Sequence, residues 1–229
     1  MHERWRHFGA TPALCISDRD TDFRGVVLVY HGLFADKETQ RKELEWLGRR
    51  GYLAVGVDAF GHGERRDPQL REKMAGPDSK KTFLELVRAT VAEVPRLVRL
   101  IRALLDKPTN FGITGISMGG YVCYGALQAE PSLKAAAPIL GSPQWGGSDS
   151  PHRHLEAFWP VALLAQNAGQ DRNVPPDQSR ELVEQLRPYY REDPERLAYH
   201  VYPDSDHFMS EQDWNLLWER TLDWFDRYL

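Results

Sequence analysis

Two hydrophobic rhythms alternate along the chain. Short continuous apolar runs recur, separated by longer stretches in which apolar residues fall at every third or fourth position. The first unambiguous run covers residues 25–30 (Gly-Val-Val-Leu-Val-Tyr), a sequence suited to burial on both faces of a parallel sheet. Further strands are predicted at residues 53–57, 111–114, 135–140, 161–166 and 197–202, and helices over 37–50, 82–105, 121–129, 175–187 and 211–229. Within 82–105, Phe83, Leu86, Val87, Val91, Val94, Val98, Ile101 and Leu105 share helical spacing. Pro95 is expected to kink that helix or divide it, because proline lacks the N–H and clashes with the preceding turn. In the closing helix Trp214, Leu217, Trp218, Leu222, Phe225 and Tyr228 recur at i, i+3 and i+4 and read as sheet-packing residues. Residues 61–81, rich in Gly, Pro and charge, read as loop with one short helical turn, and residues 1–24 as one or two edge strands. This alternation predicts the α/β class: a mostly parallel central sheet with helices on both faces, in one domain over residues 1–229. No internal repeat interrupts it.

Composition narrows the partners. Of 229 residues, 41% are hydrophobic and 27% charged, and the net charge of −4 comes from acids and bases scattered along the whole length. That argues against nucleic acid or an anionic membrane as the main partner. Arg96, Arg99 and Arg102 have the spacing of one solvated helix face. Cys15 and Cys123, the only cysteines, offer neither a disulfide framework nor zinc spacing. The N-terminal residues have charge but no apolar core, and no apolar run approaches a membrane span, so a cytoplasmic protein without membrane anchoring is expected.

The chemistry centres on Gly115-Ile116-Ser117-Met118-Gly119, followed by Gly120. A predicted strand precedes it and a helix follows, the context in which G-x-S-x-G is a nucleophile elbow. The serine must sit on a tight turn with its oxygen projecting from the sheet, and flanking glycines leave room for neighbouring backbone. Serine needs a base, and the base an orienting acid. Such groups belong on loops at the C-terminal ends of strands. Asp171 follows the 161–166 strand in Gly-Gln-Asp-Arg-Asn-Val-Pro, and His207 follows the 197–202 strand in Asp-Ser-Asp-His-Phe. The chain order is Ser, Asp, His. Asp149, in a Gly-Ser connection, and Asp177, inside a predicted helix, are weaker acids. Asp206 is disfavoured because its neighbour His207 faces another direction in most backbones. His200 reads as a strand histidine, and His152 and His154 as loop histidines with no partnering metal-ligand pattern.

The elbow, the chain order, Asp-x-x-Val-Pro and His-Phe together resemble the α/β-hydrolase family, from about residue 25 to the end. Within it the chain looks most like the small single-domain serine esterases related to dienelactone hydrolase and to the catalytic domain of prolyl oligopeptidase. Dienelactone hydrolase itself uses a cysteine nucleophile where this chain has Ser117. The resemblance implies an oxyanion hole from the backbone N–H groups of Leu33, after His31-Gly32, and of Met118. It also implies a shaping loop at Asp58-Ala59-Phe60-Gly61-His62-Gly63, read as structural, with His62 a lesser candidate for substrate contact. Two departures stand out: Gln166-Asn167-Ala168-Gly169-Gln170 where the family often has His-Gly before the acid, and Asp206 where it often has Gly before the histidine.

In this family a cap usually enters after the 135–140 strand. Here the connection, residues 141–160, is too short for a helical lid, and an open site with a minimal cap is expected. His31, Gly32, Phe34, Trp145, Phe158 and Trp159 are the expected substrate contacts. Residues 61–81 are a second candidate wall, whose Arg65, Arg66, Lys73, Lys80 and Lys81 read as solvated rather than as contacts for an anionic leaving group. The resulting expectation is hydrolysis of small to medium acyl carboxylic esters through an acyl-enzyme on Ser117, with no cofactor or metal, by a monomer or homodimer. Thioesters, lysophospholipids and peptides are alternatives with the same machinery. A non-catalytic ligand-binding hydrolase fold and a scaffold using the Trp-rich closing helix are alternatives of other classes.

Overall fold

A computed structural model describes residues 1–229. Eight strands form one sheet: β1 (His2–Phe8), β2 (Thr11–Ser17), β3 (Val26–Tyr30), β4 (Leu53–Val57), β5 (Phe111–Ile116), β6 (Leu133–Ile139), β7 (Ala162–Ala168) and β8 (Leu197–Tyr202). The spatial order is β1-β2-β4-β3-β5-β6-β7-β8. β2 alone runs opposite to the other seven strands; residues 1–24, expected to hold one or two edge strands, form an N-terminal hairpin that continues the sheet, with only β1 at the edge. From β3 the chain steps outward to β4, then returns to β5 on the other side of β3. The adjacent C-terminal ends of β3 and β5 are therefore the topological switch point, where loops leaving in opposite directions open a crevice.

Side-chain alternation divides the core. Val26, Leu28 and Tyr30 of β3 point into one cluster, with α3 (Ser79–Arg102), α4 (Met118–Ala129) and α5 (Asp177–Leu186). Val27 and Val29 point into the other, with α1 (Arg41–Arg49) and α6 (Glu211–Tyr228). A continuous apolar strand sequence is what burial on both faces demands. The aromatic face of α6 is spent on the sheet: Leu217, Trp218 and Phe225 are fully buried.

Two expectations are refined. Of the kink or division expected at Pro95, division does not occur: the 24-residue α3 runs through it as one helix. Proline in a helix interior costs about 3 kcal/mol. Val94, Leu97, Val98 and Ile101 are all buried around it, and each such side chain contributes about 1.5–3 kcal/mol on burial, so packing wins. The 61–81 segment holds more helix than expected: a 3₁₀ turn at Gly63–Arg65, then α2 (Leu70–Ala75) and the first turn of α3.

Candidate active site

Ser117 sits between the last residue of β5 and the first of α4 with φ 54° and ψ −111°. Ser117 N–H is tied to the Ile139 carbonyl at 2.9 Å. A side chain on Gly119 would collide with the carbonyl of Tyr30 at the end of β3, so only glycine lets α4 start this close to the sheet. The strained serine is held because strand, neighbouring strand and helix over-determine it.

Asp171 lies on the loop after β7, with its side chain fully buried. One carboxylate oxygen, Oδ1, accepts the N–H groups of Asn173 and Val174, each at 2.9 Å. The other, Oδ2, is 2.7 Å from His207 Nδ1, and His207 Nε2 is 3.0 Å from Ser117 Oγ. A carboxylate only accepts, so Nδ1 carries the proton and Nε2 presents its lone pair to the serine hydroxyl. The rival acids are engaged elsewhere: Asp149 pairs with Arg88, Asp177 with Arg180, and Asp206 accepts Phe208 N–H at 2.8 Å.

His31 directly follows β3, and its side chain turns inward. Its Nε2 accepts Ala59 N–H at 3.0 Å, which leaves Nδ1 to donate to the Gly32 carbonyl at 2.7 Å. Burial lowers its pKa to about 4, so the ring is neutral. It therefore braces the loop instead of touching substrate, contrary to expectation. Residues 32–35 then form a turn, with Ala35 N–H to the Gly32 carbonyl at 3.3 Å and Phe34 at φ 66°. The position of a Cβ on Gly32 would lie 3.8 Å from Ser117 Cβ, so this turn abuts the serine. Neither Leu33 N–H nor Met118 N–H donates to another protein group. For Met118 that follows from its place in the first turn of α4, where N–H groups lack intrahelical partners.

These groups open into a cleft of about 1000 Å³. Gly32, Leu33 and Phe34 line it as expected. Trp145, Phe158 and Trp159 do not. Trp145 and Phe158 are core residues, 4% and 0% exposed, and Trp159 packs edge-on against Tyr190. The 141–160 connection folds down to cover α4 and the sheet, and contributes only Gln144 to the cleft. The apolar wall comes instead from Met74, Phe83, Leu84, Tyr121, Leu140 and Val174. Phe83 and Tyr121 meet edge-on at 5.0 Å between ring centres. Helical spacing marked Phe83 as buried-facing, and Tyr121 lies one turn beyond the serine, but nothing in the sequence showed them facing one cavity. Trp214, expected to pack only on the sheet, also reaches the cleft edge. Of the five basic residues singled out in 61–81, Lys80 alone lines it.

Asp58 and His62 are structural, as expected. Asp58 is fully buried under Lys37 and Glu64, and His62, 2% exposed, packs against His31 at 5.2 Å. Gln166, the departure before the acid, clamps three elements: its amide donates to Thr221 Oγ1 and Leu217 O, and its carbonyl accepts from Tyr202.

A family model settles the kinship, matching residues 12–229. The chain belongs to the dienelactone hydrolase family. Among curated relatives it is 26% identical over 253 residues to a Bacillus subtilis protein named Putative esterase YitV, covering 95% of each chain. Among solved structures it superposes on TT1662 from Thermus thermophilus with a TM-score of 0.82, at 23% identity and over 99% and 98% of the two chains. Dienelactone hydrolase from Anabaena variabilis gives a TM-score of 0.72 at 18% identity, over 100% and 97%. These likenesses carry the fold, and membership of the dienelactone hydrolase family makes the chain a hydrolase. No helix is long and apolar enough to cross a membrane.

Proposed function

We propose that the protein is a serine carboxylesterase acting on esters of small to medium acyl chain. The observation that carries this reading is the unbroken relay from Ser117 Oγ through His207 to Asp171, at 3.0 and 2.7 Å. Ser117 attacks the ester carbonyl while His207 Nε2 takes its proton. The tetrahedral oxyanion lies against the N–H groups of Leu33 and Met118, and each such donor is worth about 3–4 kcal/mol in the transition state. His207 then protonates the leaving alcohol, the acyl-enzyme forms, and water repeats the sequence to release the acid. Asp171 fixes the imidazole tautomer and stabilises its cation. An apolar wall beside the serine, with Phe83 and Tyr121 packed edge-on within it, fits an acyl chain rather than a peptide. Two buried free thiols, Cys15 and Cys123, suit a reducing, cytoplasmic setting. The test is labelling by a fluorophosphonate probe with the adduct mapped by mass spectrometry. A single adduct on Ser117, absent from Ser117→Ala, is expected; a folded wild-type protein that takes no label would refute the reading.

A further inference from the structure

The N–H of Leu33 is placed by a loop with no regular structure, yet oxyanion stabilisation requires donors held within about 0.5 Å of the productive position. One end of that loop is braced by His31. At the other end stands Lys37, which no motif singles out. Its side chain is only 6% exposed, with Nζ 2.9 Å from Asp58 Oδ2 and 2.8 Å from Glu64 Oε1. Its own N–H donates to Asp58 Oδ1 at 2.9 Å. Asp58, at the end of β4 with no side-chain exposure, also accepts the N–H of Glu64 at 3.0 Å. A side chain on Gly63 would collide with the Asp58 carboxylate, so the 58–64 loop can close over this charge only with glycine there.

We infer that Lys37 is a positioning residue: its ammonium clamps the far end of the 31–37 loop onto Asp58 and Glu64, so that Leu33 N–H stays aimed at the oxyanion formed when Ser117 attacks. The inference rests on the serine hydrolase reading above. A buried ion pair is weak evidence of stabilisation, because well-packed apolar residues commonly do as well. What this pair supplies is direction. Lys37 contributes both its backbone N–H and its ammonium to the same carboxylate, so the backbone at 37 has little freedom to shift relative to β4. Ala59 N–H, one residue past Asp58, holds His31 at the loop's other end. Both ends of the oxyanion loop are thus referenced to one short stretch after β4.

The test separates positioning from folding. Lys37→Met is compared with wild type for kcat and KM on 4-nitrophenyl butyrate, with active sites counted by fluorophosphonate titration. The inhibition constant of a trifluoromethyl ketone with the same acyl chain is measured alongside. That ketone adds Ser117 Oγ to its carbonyl carbon, the serine proton passes to His207, and the resulting oxyanion needs the same N–H donors. Lys37→Met is expected to lower kcat by about 10–100-fold, part or all of the loss of one oxyanion donor. KM should stay within about twofold, and the ketone should weaken by the factor lost from kcat. If the single substitution leaves Asp58 unpaired and the chain does not fold, the double variant Lys37→Met/Asp58→Asn removes both charges and is expected to show the same loss. Unchanged kcat and ketone affinity per active site in the folded variant, with only the melting temperature lowered, would overturn the inference. Wild-type protein that takes no label would instead sink the serine hydrolase reading.

Discussion

Replacing Asp171 by Asn tests the proposed relay at the point where the structure makes the sharpest claim. The two oxygens of Asp171 have different duties. Oδ1 accepts two backbone N–H groups at 2.9 Å, while Oδ2 accepts His207 Nδ1 at 2.7 Å. Asparagine has one oxygen, and the two N–H donors claim it. The amide nitrogen then faces Nδ1, which can pair with it only as an acceptor. The imidazole proton moves to Nε2, and the ring presents a donor to Ser117 where a base is required. Loss of the correct tautomer in a Ser-His-Asp site lowers kcat about 10⁴-fold, which corresponds to roughly 5.5 kcal/mol of transition-state stabilisation. Because volume and both backbone hydrogen bonds survive, stability should fall by only about 1–3 kcal/mol, the difference between a charged and a neutral acceptor. The assay is kcat on 4-nitrophenyl butyrate, with folding followed by urea titration. A folded Asp171→Asn protein retaining kcat within about tenfold would show that another group orients His207.

Further predictions concern the support of the site and its walls. Burial of His31 holds its folded pKa at about 4, against 6.5 unfolded, so between those values the unfolded chain binds the extra proton. Stability conferred by the neutral ring is complete above pH 6.5 and is lost as pH falls towards 4, in all about 3 kcal/mol. Urea titrations at pH 7 and 4.5 should show a steeper decline for wild type than for His31→Gln; equal declines would refute this account. Trp145→Ala, deep in the core, should lose about 3–5 kcal/mol of stability yet keep the wild-type KM for butyrate, a result inconsistent with the expected role as a substrate contact. Phe83→Ala should do the reverse: kcat/KM for medium-chain esters falls by about 10-fold or more, in line with 1.5–3 kcal/mol for one lost apolar contact, with a smaller loss for acetate.

Much of the fold was readable because burial writes itself into strand sequence. Residues 25–30 read as a strand and form the fully buried β3, and residues 53–57 form β4, since Val-rich apolar runs between turn residues have few other uses. That Ser117, Asp171 and His207 come together is legible for a different reason: each is a residue type of the serine relay pattern, and each follows a strand at the same end of the sheet. The hairpin β1–β2 was only half visible. Its outer strand (His-Glu-Arg-Trp-Arg-His-Phe) has charge at three of seven positions and is exposed nearly throughout, as an edge strand protected against further pairing should be. The burial of Lys37 is not legible, because a lysine in a polar segment reads as solvated until Asp58 is seen beneath it.

The walls of the cleft were misread because apolarity says that a side chain leaves water, not which cavity receives it. Trp145 and Phe158, in a connection rich in Gly, Ser and Pro, look like residues with nothing to bury against except substrate. That connection must first cover α4, and the aromatic side chains are used there. The backbone of the site was equally silent. Of four non-glycine residues with positive φ, three, Phe34, Ser117 and Leu140, line the cleft. Each costs of order 1–3 kcal/mol and persists only where its surroundings leave no alternative. Those surroundings are the adjacent ends of β3, β5 and β6, with α4 starting against them. On the proposed reading, strain concentrated at the rigid switch point of the sheet pre-sets the serine and the loop that would hold the oxyanion before substrate arrives. Little of the binding energy is then needed to assemble the site, and more of it is available in the transition state.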